Sequence, residues 1–90
     1  MKIPCRLPIF RTGEDLIMIK LLIPRCGTVA WVPRRSLTIV EQSATTKHIR
    51  GLVEAKLLDE DSETYFVQIQ DRGGVQRLWI PKDWIRKELG

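Results

Sequence analysis

The chain has few of the residues that enzymes most often use for catalysis or metal binding. Its 90 residues include one histidine, His48, and two cysteines, Cys5 and Cys26, which do not form a Cys-x-x-Cys pair. That supply is too small for a zinc site with the usual number of ligands. It also leaves no evident set of nucleophile, base and orienting group. The sequence therefore predicts neither a metal nor a cofactor, and it favours a binding module over an enzyme.

Long apolar stretches are also missing. The longest, residues 16–23, is interrupted by Lys20 and is far too short to cross a bilayer as a helix. Pro4 and Arg6 interrupt what would have to be a continuous apolar stretch in a secretion signal. These features predict a cytoplasmic protein that does not enter a membrane. Cysteines in that compartment are expected to be small apolar side chains, although a disulfide between the two is compatible with the sequence.

Length and charge set further bounds. A chain of 90 residues is long enough for one small core and too short for two, so we expect a single domain over residues 1–90. Hydrophobic residues make up 43% of the chain and charged residues 29%, which is enough apolar surface to offset the ordering entropy of folding. The formal net charge of +4 favours polyanionic partners.

The first half of the chain has the alternation of half-buried strands. Ile3, Cys5 and Leu7 are separated by single intervening residues, which is the period of a strand with one buried face. Because proline cannot donate a ladder hydrogen bond, Pro4 and Pro8 predict that this strand lies at an edge of the sheet. Residues 16–23 predict a strand that is apolar on both faces. Turns or connections are expected at residues 11–14, 24–27 and 42–47.

The second half repeats this plan. Residues 48–58 predict one extended run, followed by an acidic turn at 59–63 and a strand at 65–70. Asp71-Arg-Gly-Gly74 between two extended runs predicts a hairpin, since glycine accepts the positive φ that such turns need. After Pro81 a turn or two of helix is expected. The chain is thus predicted to be mainly β, a single small antiparallel barrel of about six or seven strands with a short C-terminal helix.

Two similar blocks occur in the sequence, Trp31-Val-Pro-Arg-Arg-Ser-Leu37 and Trp79-Ile-Pro-Lys-Asp-Trp-Ile85. Each follows a short apolar strand, and in each the proline is expected to end that strand in a tight turn. The spacing indicates a weak internal repeat with halves at about 2–41 and 48–86, and a chance similarity of short segments is the alternative.

The C-terminal hairpin, from Glu63 to Ile85, resembles the C-terminal half of SH3-like barrels. In that family an aromatic pair opens one strand, and the next strand runs into a proline, a turn of 3₁₀ helix, an aromatic and an aliphatic. Tyr65 and Phe66 match the aromatic pair, and Pro81 and Trp84 match the later positions. The resemblance implies an SH3-like barrel. Recognition of proline-rich peptides is not implied, because the acidic loop that completes their groove in the family has no counterpart here.

Aromatic and basic side chains around the second block suggest a partner. Aromatic faces can stack on bases, and guanidinium groups can contact phosphates. We therefore predict a nucleic-acid-binding surface. Its predicted contact residues are Trp84, Tyr65, Pro81, Arg34, Arg35, Lys82 and Arg86. Trp31 and Trp79 lie in mid-strand and are expected in the core, whereas for Trp84 both places are open.

Two alternatives remain from the sequence. If Leu16, Met18 and Leu22 face outward, they form a patch that would pair with a protein partner, in a homodimer or a higher homo-oligomer, unless the C-terminal helix covers them. Val75-Gln76 resembles the Val-Gln-x-Tyr strand of type II dihydrofolate reductases, which are SH3-like barrels assembled around a shared pore. That resemblance implies an oligomeric pore enzyme, although Leu78 stands where that family has tyrosine.

Overall fold

The computed structural model describes residues 1–8, 15–41 and 48–89, and in these ranges the chain is mainly β, as predicted. The turn expected at residues 11–14 and the connection expected at 42–47 lie outside the described residues. The elements in chain order are β1 (Lys2–Pro8), β2 (Leu16–Leu21), β3 (Thr28–Pro33), a 3₁₀ turn η1 (Arg34–Ser36), β4 (Leu37–Glu41), β5 (His48–Glu54), β6 (Lys56–Glu60), β7 (Thr64–Asp71), β8 (Gly74–Pro81) and α1 (Lys82–Leu89).

The described strands form two antiparallel sheets and not one closed barrel. The larger sheet has the order β3-β2-β1-β5-β4, and the smaller has the order β6-β7-β8. The extended run predicted over residues 48–58 is divided at Ala55, where the chain leaves one sheet for the other. Ala55 exchanges backbone hydrogen bonds with Met1, at 2.7 and 2.8 Å, and from Lys56 onward the backbone pairs with β7.

The first strand is central, so the prediction of an edge strand was wrong. β1 pairs with β5 along its whole length and with β2 on its other side. Among the described residues, the pairing with β2 consists of Arg6 opposite Lys20, between Pro4 and Pro8. A short ladder of this kind lets a proline-bearing strand lie inside a sheet, because few N–H groups are required on that side.

The core lies between the two sheets and beneath α1. Alternate residues of the strands face inward, and burying each large aliphatic side chain contributes about 1.5–3 kcal/mol. The inward-facing side chains include Ile3, Leu7, Ile17, Ile19, Leu21, Val32, Val53, Val67, Ile69 and Ile80, all at most 2% exposed.

The hairpin predicted at residues 71–74 is confirmed, and it also connects the two sheets. Arg72 and Gly73 have φ values of 50° and 80°, the positive angles of a type I′ turn. The backbone N–H of Trp31 donates to Asp71 Oδ1 at 2.8 Å, and the N–H of Arg72 donates to the carbonyl of Trp31 at 3.0 Å. We call this pair of hydrogen bonds the joint, because it fastens the edge of the larger sheet to the turn of the smaller one.

Both Trp-x-Pro blocks end their strands as predicted. β3 ends at Pro33 and β8 ends at Pro81, and each proline is followed directly by helical backbone. In the first block this is η1, after which the chain continues as β4. In the second it is α1, the predicted C-terminal helix, which buries Trp84 and Ile85. The two blocks therefore share the same local course of the backbone.

Candidate functional site

The predicted contact residues lie in three separate places: a cavity at the start of α1, the turn η1 and, for Trp84, the core. Pro81, Lys82 and Arg86 line a shallow cavity at the start of α1, and Lys82 Nζ lies 4.8 Å from the centre of the Tyr65 ring. The arginine pair of the first block, at positions 34 and 35, belongs to η1 and does not line that cavity. The structure thus brings most of the second block's predicted residues together and places the arginine pair elsewhere.

Trp84 is part of the core. Its side chain is 7% exposed and lies in the same cluster as Ile85 and Ile80, because α1 packs against β1 and β8. The indole Nε1 is buried and has no hydrogen-bond partner among the described residues. A base could reach this ring only if α1 moved away from the sheets.

The cations at the start of α1 are paired with carboxylates. Lys82 Nζ lies 2.6 Å from Glu60 Oε2, and Arg86 is paired with Asp83. The hydrogen bond to Glu60 raises the pKa of Lys82, and hydrogen bonds from the backbone of Glu63 and from Thr64 lower the pKa of Asp61. With these partners the cluster has little net positive charge to offer a polyanion.

A different surface carries exposed aromatic and basic groups, the outward side of β7 and β8. Trp79, expected in the core from its mid-strand position, is 49% exposed. Its ring stacks on Phe66, with centroids 4.7 Å apart and planes at 26°, because the two residues are directly opposite in the β7–β8 register. We call this surface the aromatic face. Its residues are Phe66, Gln68, Gln70, Val75, Arg77 and Trp79.

The rest of the aromatic face is polar and basic. Arg77 Nε donates to Gln68 Oε1 at 3.1 Å, next to the stacked rings in the ladder. Lys56 is opposite Gln68 on the other side, so its side chain points to the same face. Asp59 is opposite Phe66 and adds a carboxylate beside the stacked rings. The stacked rings thus have Arg77 and Lys56 as their nearest cations along the sheet.

A groove continues from the aromatic face toward the first block. It lies between η1 and the β7–β8 turn, and we call it the arginine groove. Among its lining residues are Leu16, Pro33, Arg35, Gln70, Arg72 and Val75. Arg35 also lines a second shallow cavity with Lys56 and Gln68. Glu54, which pairs with the N-terminal amine, also lines this second cavity. Within the described residues neither Arg35 nor Lys56 forms an ion pair.

Arg72 is held in place before any ligand arrives. Its guanidinium carbon lies 4.7 Å from the centre of the Trp31 ring, a cation–π contact that leaves the N–H groups at the edge of the guanidinium. The backbone of Arg72 is fixed by the joint. An arginine with restricted motion loses less entropy when it binds an anion.

The exposure of Trp79 was not predicted from the sequence, although a signal for it was present. Residues two apart in a strand point to the same side, and Arg77 marks one side of β8 as exposed. Trp79 shares that side, whereas Leu78 and Ile80 share the other. The alternation of β8 therefore places Trp79 outside, and the hairpin pairing then predicts Phe66 beside it.

Two cysteine thiols and the amide of Gln76 lie outside these surfaces. Burial raises the pKa of Cys5 to about 12, so this thiol stays protonated near neutral pH, and Cys26 is free and exposed. Gln76 donates to the Val29 carbonyl at 2.9 Å and to Asp71 Oδ2 at 2.7 Å. Its amide is thus engaged in holding the sheets together.

Residues 1–8, 15–41 and 48–89 offer neither a metal-binding cluster nor a membrane-spanning helix. These residues contain no group of three or more His, Cys, Asp or Glu side chains positioned to hold a metal ion. They contain no helix with the length and apolar character needed to traverse a bilayer.

Two of the three residues of the patch predicted for assembly are on the surface. Leu16 is 40% and Leu22 49% exposed, whereas Met18 is half-buried. Val29, which is 45% exposed, lies opposite Lys20 on the neighbouring strand. α1 does not hide Leu16 and Leu22.

Comparison with known proteins gives no match. No protein-family model matches the chain, and no curated protein or solved structure is significantly similar to it.

Proposed function

We propose that the chain is a nucleic-acid-binding module whose contact surface is the aromatic face. The observation that carries the proposal is the exposed Trp79 ring, stacked on Phe66 in a row with Arg77. An indole that is 49% exposed is a large apolar surface for solvent to cover, and stacking on a base would bury it. Arg77, Lys56 and Arg35 supply charge of the sign that phosphates need.

The proposed contact residues differ from those predicted from the sequence. Trp79 and Phe66 take the stacking role first assigned to Trp84, which is buried. Arg35 keeps its predicted role because it lines both cavities next to the aromatic face. Lys82 and Arg86 contribute less, since each has a carboxylate partner.

The fold supports a related inference. A hairpin that runs into a proline and a helical turn, followed by a buried aliphatic at Ile85, suits an open variant of the SH3-like barrel. Two unpaired cysteines suit a reducing compartment such as the cytoplasm.

Binding is tested by fluorescence anisotropy with labelled single-stranded and double-stranded probes at several salt concentrations. We expect binding at low salt that weakens steeply as salt is added, because counterions are released from the phosphates. Trp79→Ala should weaken binding by about tenfold to a hundredfold, the usual value of one base–aromatic stack. Leu22→Ala is the matched control, since Leu22 is equally exposed and lies away from the aromatic face.

Two results would contradict the proposal. One is the absence of binding to every probe at low salt. The other is a Trp79→Ala variant that binds as tightly as the parent protein, since the exposed ring carries the argument.

Self-association is the second candidate, and the exposure of Leu16, Leu22 and Val29 favours it. A homodimer would remove these side chains from water. The predicted result is a mass in light scattering that rises with concentration and returns to that of the monomer in Leu22→Lys. A constant monomer mass would exclude this candidate.

A further inference from the structure

We infer that the ligand of the aromatic face is a single strand, which runs along β8 from Trp79 to the arginine groove and places a phosphate between Arg35 and Arg72. This inference rests on the proposed function and adds the class of nucleic acid, its path and a phosphate subsite. It applies to DNA and RNA alike, because the stacked base and the phosphate are common to both.

The Trp79 ring selects for unpaired bases. Phe66 stacks on Trp79, and the exposed part of the indole is available for a further ring. Inside a duplex the faces of the bases are covered by their neighbours, so stacking on a protein ring requires a base that is free to leave the stack. An exposed ring in the outward row of a sheet therefore favours single strands over duplexes.

The arginine groove lies at the right distance to hold the backbone of the same strand. Trp79 and Val75 point to the same side of β8, and four residues of strand span about 13 Å. Val75 is also part of the groove wall. At about 3.4 Å per stacked nucleotide, a strand of roughly four nucleotides covers this distance, and an unstacked strand needs fewer.

The chemistry of the groove suits a sugar and a phosphate. Leu16, Pro33 and Val75 supply an apolar wall, and Arg35 and Arg72 supply the two cations. No carboxylate is among the described residues that line it. Two acidic residues adjoin groove residues in the sequence: Asp15, which is exposed, and Asp71, whose carboxylate accepts hydrogen bonds from the N–H of Trp31 and the amide of Gln76. A phosphate in the groove would thus meet two guanidinium groups and no carboxylate of a described lining residue, although the charge of Asp71 acts on Arg72 from outside the lining.

The test measures where the strand binds as well as how tightly it binds. Oligothymidines and oligouridines from two to eight nucleotides are added to labelled protein, and the indole and backbone amide signals are followed by NMR. The Trp79 indole signal is assigned with Trp79→Phe. We expect the shortest strands to shift only this signal, and strands of about four nucleotides or more to shift the Arg72 and Gly73 amides too.

Variants of the groove separate its contribution from that of the rings. Arg72→Asn removes the cation and keeps a residue that tolerates positive φ. Arg35→Ala removes the second cation outside the joint. Each should weaken binding of the longer strands and lower the salt slope by about 0.7, the value of one phosphate contact on a single strand. Neither should alter binding of the shortest strands. Lys87→Ala, an exposed cation on α1, is the matched control.

The outcomes distinguish the inference from the proposed function. If no nucleic acid binds, both fail. The inference alone fails if duplexes bind as well as single strands, or if Arg72→Asn and Arg35→Ala leave the binding of every length unchanged. It also fails if they weaken the shortest strands as much as the longest. An unchanged urea midpoint for Arg35→Ala confirms that its effect does not come from unfolding.

Discussion

The strands that end at Pro33 and Pro81 both run directly into a helical turn, yet the side chains around these turns differ in their surroundings. In the first block the tryptophan, Trp31, lies under Arg72, and Arg35, the second cation after Pro33, is exposed. In the second block Trp79 is exposed on the aromatic face, and the cation that follows is paired with Glu60.

The two blocks share one course of the backbone, but each contributes a different part of the exposed surface. In the first block the ring has a contact within the protein and Arg35 is exposed, whereas in the second the ring is exposed and Lys82 is paired. The exposed ring of the second block and the exposed arginine of the first are joined by the aromatic face and the arginine groove, since Val75 and Gln70 belong to both. The shared motif ends each strand, and the residues around it determine which side chains are exposed.

The largest expected effect concerns the aligned pair Ser36 and Trp84. Trp84→Ala should lower the free energy of unfolding by about 3–5 kcal/mol, because it empties a large volume in the core. Ser36→Ala should change the free energy of unfolding by less than about 0.5 kcal/mol. Urea denaturation measures both. A small loss for Trp84→Ala would contradict this expectation, because it would mean that α1 is not held by this side chain.

A smaller effect is expected at the joint. Asp71→Ala leaves the N–H of Trp31 without its partner and should cost about 1–2 kcal/mol. Asp71→Asn retains a side-chain oxygen that can accept this hydrogen bond and should cost less. If both variants unfold at the same urea concentration as the parent protein, the larger sheet does not depend on this contact.

The joint also predicts a dependence on pH. The hydrogen bond from Trp31, and then that from Gln76, lower the pKa of Asp71 below its ordinary value of 3.8. The stabilisation is therefore present above pH 3.8 and lost as the pH falls through the lowered folded-state pKa. The difference in unfolding midpoint between Asp71→Asn and the parent protein should shrink in acid. A difference that grows in acid would contradict this assignment.

The smallest effect is expected for the cation of the second block. The hydrogen bond to Glu60 raises the pKa of Lys82 above 10.5, so its stabilisation is present below pH 10.5 and lost as the pH rises through the folded-state pKa. Exposed ion pairs contribute little. Lys82→Gln should therefore shift the urea midpoint slightly at neutral pH, and added salt should reduce the shift. A large shift that salt does not reduce would show that Lys82 has a further role.

Local rules of sequence account for much of the fold. The alternation of Ile3, Cys5 and Leu7, the glycines of the β7–β8 turn and the prolines that end two strands act over a few residues, and the structure follows them. The edge position predicted for β1 was wrong because the pairing of a strand depends on distant partners. The change of sheet at Ala55 has the same origin.

The surroundings of the candidate-site residues depend more on contacts between residues that are distant in the sequence. Arg35 was predicted, and the structure places it beside the aromatic face. Lys82 has the same sequence signal as a cation, yet Glu60 comes within reach of it only once β6 and β8 belong to the same sheet. The exposure of Trp79 follows from the alternation of β8, whereas the burial of Trp84 requires α1 to fold back over the core.

The backbone N–H of Trp31 donates to a side chain in a turn forty residues further along the chain, at the point where the two sheets meet. The hydrogen-exchange rate of this one amide therefore measures how often the sheets separate. A nucleic-acid strand bound to Arg72 would slow that separation, so binding at the surface would slow the exchange of the Trp31 amide proton.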